Sequence, residues 1–146
     1  MDISINFTGA QILLEDVIDV PRPGQNGVLS VEGQVADHFF SPTDRWGKCD
    51  YENQWLEAIQ RLRGGATKDC LVTSVHPSHI ACFVMVYGVW KVSDGYRIGQ
   101  LALNTDPGSS GDFDPRRSHE FMPEFATHDE DGEQVQYWTC DAKPTV

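Results

Sequence analysis

The chain has 146 residues, 22 of them acidic and 11 basic, for a formal net charge of −11, and 40% of it is hydrophobic. That length fits a single domain, residues 1–146, with enough core to fold without disulfide staples, and so negative a charge disfavours nucleic acid and anionic membranes as partners. No apolar run approaches the ~20 residues that span a bilayer, and Met1-Asp2 with Glu15, Asp16 and Asp19 lacks the basic start and unbroken apolar stretch of a secretory signal, so a cytoplasmic protein is expected.

The N-terminal third reads as short strands at Ile3–Phe7, Ile12–Val20 and Val28–Phe40. The Pro21–Gly27 stretch carries two prolines and two glycines and predicts a turn between the second and third. Gly33 predicts a bulge or break in the third. The clearest helix is about Tyr51–Arg63: Tyr51, Trp55, Ala58, Ile59 and Leu62 recur at helical spacing and form one apolar stripe. Asp50 suits its N-cap, Arg61 and Arg63 suit its last turn, and Gly64-Gly65 ends it. Trp55, Ile59 and Leu62 are expected to be buried against a sheet.

Strands follow at Cys70–Val75, Ala81–Val92 and Tyr96–Leu103, the last two joined by a turn at Ser93-Asp94-Gly95. The middle one is apolar on both faces and reads as central. A final strand is expected at Val135–Cys140, after the turn signal Asp131-Gly132. The fold class is therefore α+β, a largely antiparallel sheet with one main amphipathic helix packed on it.

Little in the sequence suggests catalysis or a cofactor. Cys49, Cys70, Cys82 and Cys140 contain no Cys-x-x-Cys pair, so free core thiols are expected rather than zinc or disulfides. His76-Pro77-Ser78-His79 is the best metal fragment, with Asp112, Asp114 and His119 as conceivable partners, but Pro77 breaks a continuous helical face and no second ligand pair is evident. A nucleophile such as Ser74 beside His76 lacks any surrounding signature, and no glycine-rich turn opens a helix to cradle phosphate. No catalytic, cofactor-binding or metal site is assigned.

The strongest signal is electrostatic. Between Asp106 and Glu133 there are nine acidic residues and two basic ones, Arg116 and Arg117, a local charge of −7. Phe113, Phe121, Met122, Phe125 and Trp138 interleave with or follow these charges, so the segment can anchor on a core while displaying carboxylates. Such a surface attracts a basic protein.

Five landmarks fall in a recognisable order: Tyr51-Glu52-x-Gln54-Trp55, Leu71-Val72-Thr73-Ser74, His79-Ile80 before the long strand, Phe113-Asp114-Pro115, and Asp131-Gly132 before Tyr137-Trp138. Together they resemble a family of bacterial immunity proteins from contact-dependent growth inhibition and related polymorphic toxin systems. The first forty residues carry no landmark of that family. The resemblance implies a non-enzymatic cytosolic antidote that binds the C-terminal toxin domain delivered by a neighbouring cell. Many such toxins are nucleases with basic substrate surfaces, which suits the acidity of this chain. Contacts in the family are specific to each toxin, so none is carried over. The expected toxin-binding residues are this chain's own carboxylates: Asp112, Asp114, Glu120, Glu124, Asp129, Glu130, Asp131 and Glu133. Two other readings remain open, a small enzyme or ligand-binding domain using a helix–sheet cleft, and an acidic interaction module of another system.

Overall fold

A computed structural model describes residues 2–15, 21–76, 83–104 and 114–141. It contains two antiparallel sheets and one main helix. The first sheet has the order β1-β2-β3, with β1 at Ile3–Glu15, β2 at Pro21–Val31 and β3 at Gln34–Pro42. The second has the order β4-β5-β6-β7, with β4 at Lys68–Val75, β5 at Phe83–Val92, β6 at Gly95–Asn104 and β7 at Trp138–Asp141. The helix, α1, runs from Lys48 to Arg63 between the sheets in sequence.

The α+β class holds, but the N-terminal third is organised differently from the sequence reading. The Pro21–Gly27 stretch is not a turn; it is the first half of β2. Pro21 and Pro23 pair with Glu15 and Leu13 of β1. At the end of the β3 side Pro23 accepts the Thr43 N–H at 2.9 Å but, as a proline, returns no bond, so its place at the strand's first residues limits the loss to that terminal pair. Gly24 and Gly27 are there for another reason. A Cβ on Gly24 would run into the Phe40 ring, and one on Gly27 into the Phe39 ring. The glycines let two phenyl rings lie flat across β2. The real turn is Glu32-Gly33, closed by Val31 opposite Gln34, with φ of 53° and 79°. Two central residues with positive φ give the primed turn that suits a twisted hairpin. The expected Ile12–Val20 strand is partly realised as the end of β1; residues 16–20 lie outside the described residues.

α1 begins three residues before the expected start. Gly47 is the N-cap and Asp50 sits at the third helical position, where its Oδ2 accepts the Gly47 N–H at 2.9 Å. Asp50 therefore supports the first turn from inside, because Gly47 has no side chain to cap with. Gly65, at φ 109°, turns the chain away after Arg63. Tyr51, Trp55, Ala58 and Leu62 are buried as expected, whereas Ile59 is only half-buried and flanks the core.

The stripe does more than fill space. β4 is an edge strand of the second sheet, and α1 lies along its free side. The Gln54 Nε2 donates to the Cys70 carbonyl at 2.9 Å, and its Oε1 accepts the Val72 N–H at 2.8 Å. Trp55 Nε1 donates to the Val72 carbonyl at 2.7 Å, and Val75 donates to the Tyr51 hydroxyl at 3.0 Å. These side chains replace the missing neighbour strand. Each buried backbone group left unmade would cost about 1–3 kcal/mol, so the closure is a condition of burying β4.

The two sheets share one core. Phe39 of β3 packs edge-on to Trp55 and to Tyr87 of β5, both at 5.9 Å between ring centroids. The Tyr87 hydroxyl donates to Asp37 Oδ2 at 2.8 Å, and burial together with that bond pushes its pKa upward. Asp69, almost fully buried, accepts two bonds from Arg61 at 2.7 and 3.0 Å and one from the Cys70 N–H at 2.8 Å. Cys70 and Cys140 are buried free thiols and Cys49 is an exposed one on α1, so Cys49 departs from the expected core placement; Cys82 lies outside the described residues. Desolvation pushes the Cys70 thiol's pKa up, and Asp69 adds to it, which makes that thiol unreactive.

Candidate functional site

The far end of the second sheet is where the acidic segment folds back. Pro115–Phe121 forms a short 3-10 stretch capped by Asp114, whose Oδ1 accepts the Arg116 N–H at 3.0 Å. Met122 is then buried against β5, where a Cβ on Gly88 would meet its Cε at 2.8 Å. Trp90 Nε1 donates to the Pro123 carbonyl at 2.8 Å. Phe125 packs on Trp90 at 5.4 Å and on Tyr137 at 5.2 Å. The anchoring expected of Met122 and Phe125 is thus present, and Trp138 packs partly buried against the core. Phe121 instead stands half in solvent, and Phe113 lies outside the described residues.

Beyond Phe125 the chain makes a tight acidic hairpin. His128 bridges Gln134, Val135 donates to the Thr127 carbonyl at 2.8 Å, and Asp129 donates to the Glu133 carbonyl at 2.9 Å. The Asp129 Oδ1 accepts the N–H groups of Asp131 and Glu133, both at 2.9 Å. Gly132, at φ 82°, allows the reversal. This is why the final strand begins at Trp138 and not at Val135: Gln134 and Val135 belong to the hairpin's own ladder.

Between this hairpin and β6 lies a groove of about 530 Å³. Trp90, Leu101, Phe125, Val135 and Tyr137 supply its apolar lining, and Glu124, Asp129, Glu130 and Asp131 its acidic rim. Four of the eight carboxylates expected from the sequence therefore converge on one concave surface. Glu133 is exposed in the same hairpin but does not line the groove; Asp114 and Glu120 are exposed on the 3-10 stretch. Asp112 lies outside the described residues.

The carboxylates differ in what already holds them. Glu120 accepts two bonds from Arg117, at 2.7 and 2.9 Å, and these hold its carboxyl below the ordinary glutamate range. Glu124 pairs with Lys68 at 2.9 Å. Among the described residues, the side chains of Glu130, Asp131 and Glu133 carry no hydrogen bond or ion pair. These three are the carboxylates most available to a cationic partner. The sequence did not reveal the groove's lining, because Trp90 and Leu101 read as core residues of a central sheet.

The other fragments weighed in the sequence fall elsewhere. Ser74 Oγ and His76 Nε2 lie 2.8 Å apart at the end of β4, with Ser74 buried. Residues 77–82 lie outside the described residues. No group of three or more His, Cys, Asp or Glu side chains among the described residues converges as metal ligands would. No described helix is long and apolar enough to cross a membrane. The groove lies beside β6, away from the packed helix–β4 contact where a helix–sheet cleft was conceivable.

A search of curated proteins returns no match. Among solved structures, a chain of the CdiA-CT/CdiI toxin and immunity complex from Enterobacter cloacae shares the fold, with a TM-score of 0.78 at 18% identity over 95% of this chain and 90% of that one. The model of the CdiI N-terminal domain matches residues 41–144. Its span begins in the last two residues of β3, ahead of the first sequence landmark at Tyr51, and takes in all five landmarks. The chain belongs to the CdiI N-terminal domain family, the immunity proteins of contact-dependent growth inhibition.

Proposed function

We propose that this protein neutralises a contact-dependent growth inhibition toxin by binding its toxin domain, and that the acidic surface running from Asp114 to Glu133 meets a basic face of that domain. It acts in the cytoplasm by occlusion, not by catalysis. The observation that carries the reading, beyond the family, is the convergence of Glu124, Asp129, Glu130 and Asp131 on one groove with an apolar lining. A groove of that kind offers both parts of a tight interface. Aromatic and aliphatic area supplies the desolvated centre, while rim charge speeds and orients encounter. A stable complex needs roughly 1,600 Å² of total buried surface, so the groove would be the centre of a larger contact.

Glu120 and Glu133 belong to the proposed surface at its periphery, and Asp112, outside the described residues, is proposed as a contact only from its place in the acidic segment of the sequence. Glu120 contributes least to a basic partner, since Arg117 already pairs with it. A nuclease toxin, whose substrate-binding face must be cationic, is the class this surface suits best. The test is co-expression with the C-terminal domain of the protein encoded immediately upstream. Protection of growth and recovery of a one-to-one complex are expected. A toxin domain that kills regardless, and does not co-purify, would overturn the proposal.

A further inference from the structure

One wall of the groove is bare backbone. β6 pairs with β5 along its whole length, Gly95–Asn104, but with β7 only over Gly95–Ile98. Val92 opposite Gly95 closes the two-residue turn, so the antiparallel alternation sends the N–H and C=O groups of Gly99, Leu101 and Leu103 toward β5. Those of Gln100, Ala102 and Asn104 point the other way. Among the described residues nothing bonds to them. All three residues are exposed, and Gln100 and Ala102 line the groove.

A row of unpaired donors and acceptors on an edge strand is a template for another strand. The opposite edge of the same sheet, β4, is closed by Gln54, Trp55 and Tyr51. Here the described residues leave the edge open, because Val135 bonds to Thr127 in the acidic hairpin where a longer β7 would have continued along β6. The open edge and the acidic rim share one groove.

We infer that an extended segment of the toxin domain adds to the second sheet along Gln100–Asn104, as a fifth strand. Main-chain bonds to Gln100, Ala102 and Asn104 hold it. Its Lys or Arg side chains reach Glu130 and Asp131, and its apolar ones cover Leu101 and Tyr137. The inference rests on the toxin-binding reading above and deepens it by naming the element that docks.

Amide hydrogen exchange of the wild-type protein, free and bound to the toxin domain, tests it. The Gln100, Ala102 and Asn104 amides should exchange as exposed groups in the free protein and slow by about 100-fold or more in the complex. Ala102→Pro removes an outward N–H and places a ring on the open edge, while the inward bonds of Leu101 and Leu103 to β5 remain. It should keep the folded spectrum and weaken toxin binding by roughly tenfold or more. If the toxin domain binds the wild type but leaves these amides unprotected, strand addition is wrong and the immunity reading stands. If it does not bind the wild type at all, the immunity reading itself fails. Should Ala102→Pro not fold, the wild-type exchange result decides.

Discussion

Replacing Gln54 by Leu tests the claim that a side chain stands in for a strand. The two residues have similar volumes, so little cavity or overpacking is introduced. What changes is that the Cys70 carbonyl and the Val72 N–H lose their partners in a strand whose residues from Asp69 to Val75 are all buried. At about 1–3 kcal/mol per unsatisfied buried group, the loss is about 2–6 kcal/mol, a large share of the roughly 5–15 kcal/mol that holds a domain together. Urea unfolding should show a lower midpoint with an unchanged slope. Gln54→Glu sharpens the test through pH. A protonated carboxyl donates to Cys70 and accepts from Val72, whereas a carboxylate faces a carbonyl and is desolvated, so its folded pKa rises above the unfolded value of about 4.3. The deficit relative to wild type should therefore be small at acid pH and grow as pH rises through that interval. A Gln54→Leu variant within about 0.5 kcal/mol of wild type would refute the reasoning, since that is the scatter of neutral surface changes.

Gly27→Ala should destabilise by about 1–3 kcal/mol through collision with the Phe39 ring, and adding Phe39→Leu should recover part of the loss in the same unfolding assay. Thiol titration without reductant should return four free groups from denatured protein. In the native state Cys49 should react first and Cys70 and Cys140 slowly, whereas two or fewer groups in the denatured protein would mean disulfides.

What could be read from the sequence, and what could not, follows from range. Tyr51, Trp55, Ala58 and Leu62 declare a helix because their spacing is local, and the β5–β6 hairpin is declared by Ser93-Asp94-Gly95 between apolar runs. Gln54 gives no such signal: a glutamine beside Trp55 reads as solvent-facing until the free side of β4 is placed against it. Gly24 and Gly27 read as turn residues because their purpose, a bed for Phe40 and Phe39, depends on pairing with a strand more than ten residues away. The carboxylates were legible as a charged segment. That Glu124, Asp129, Glu130 and Asp131 share a groove while Asp114 and Glu120 do not depends on Trp90 holding Pro123 and on Val135 closing the hairpin.

The central claim is that the acidic surface draws in and seats a basic toxin domain. Stopped-flow association with the cognate toxin domain, over a series of salt concentrations, tests it most directly on wild type and Glu130→Lys. Glu130 is exposed and unpaired among the described residues, so its reversal should leave the fold intact. The wild-type rate should fall steeply with ionic strength, and Glu130→Lys should lower the rate and flatten that dependence, with smaller effects on dissociation. Association rates indifferent to both salt and the charge reversal would contradict the account, and would make the acidic segment a solubilising surface with the toxin docking elsewhere.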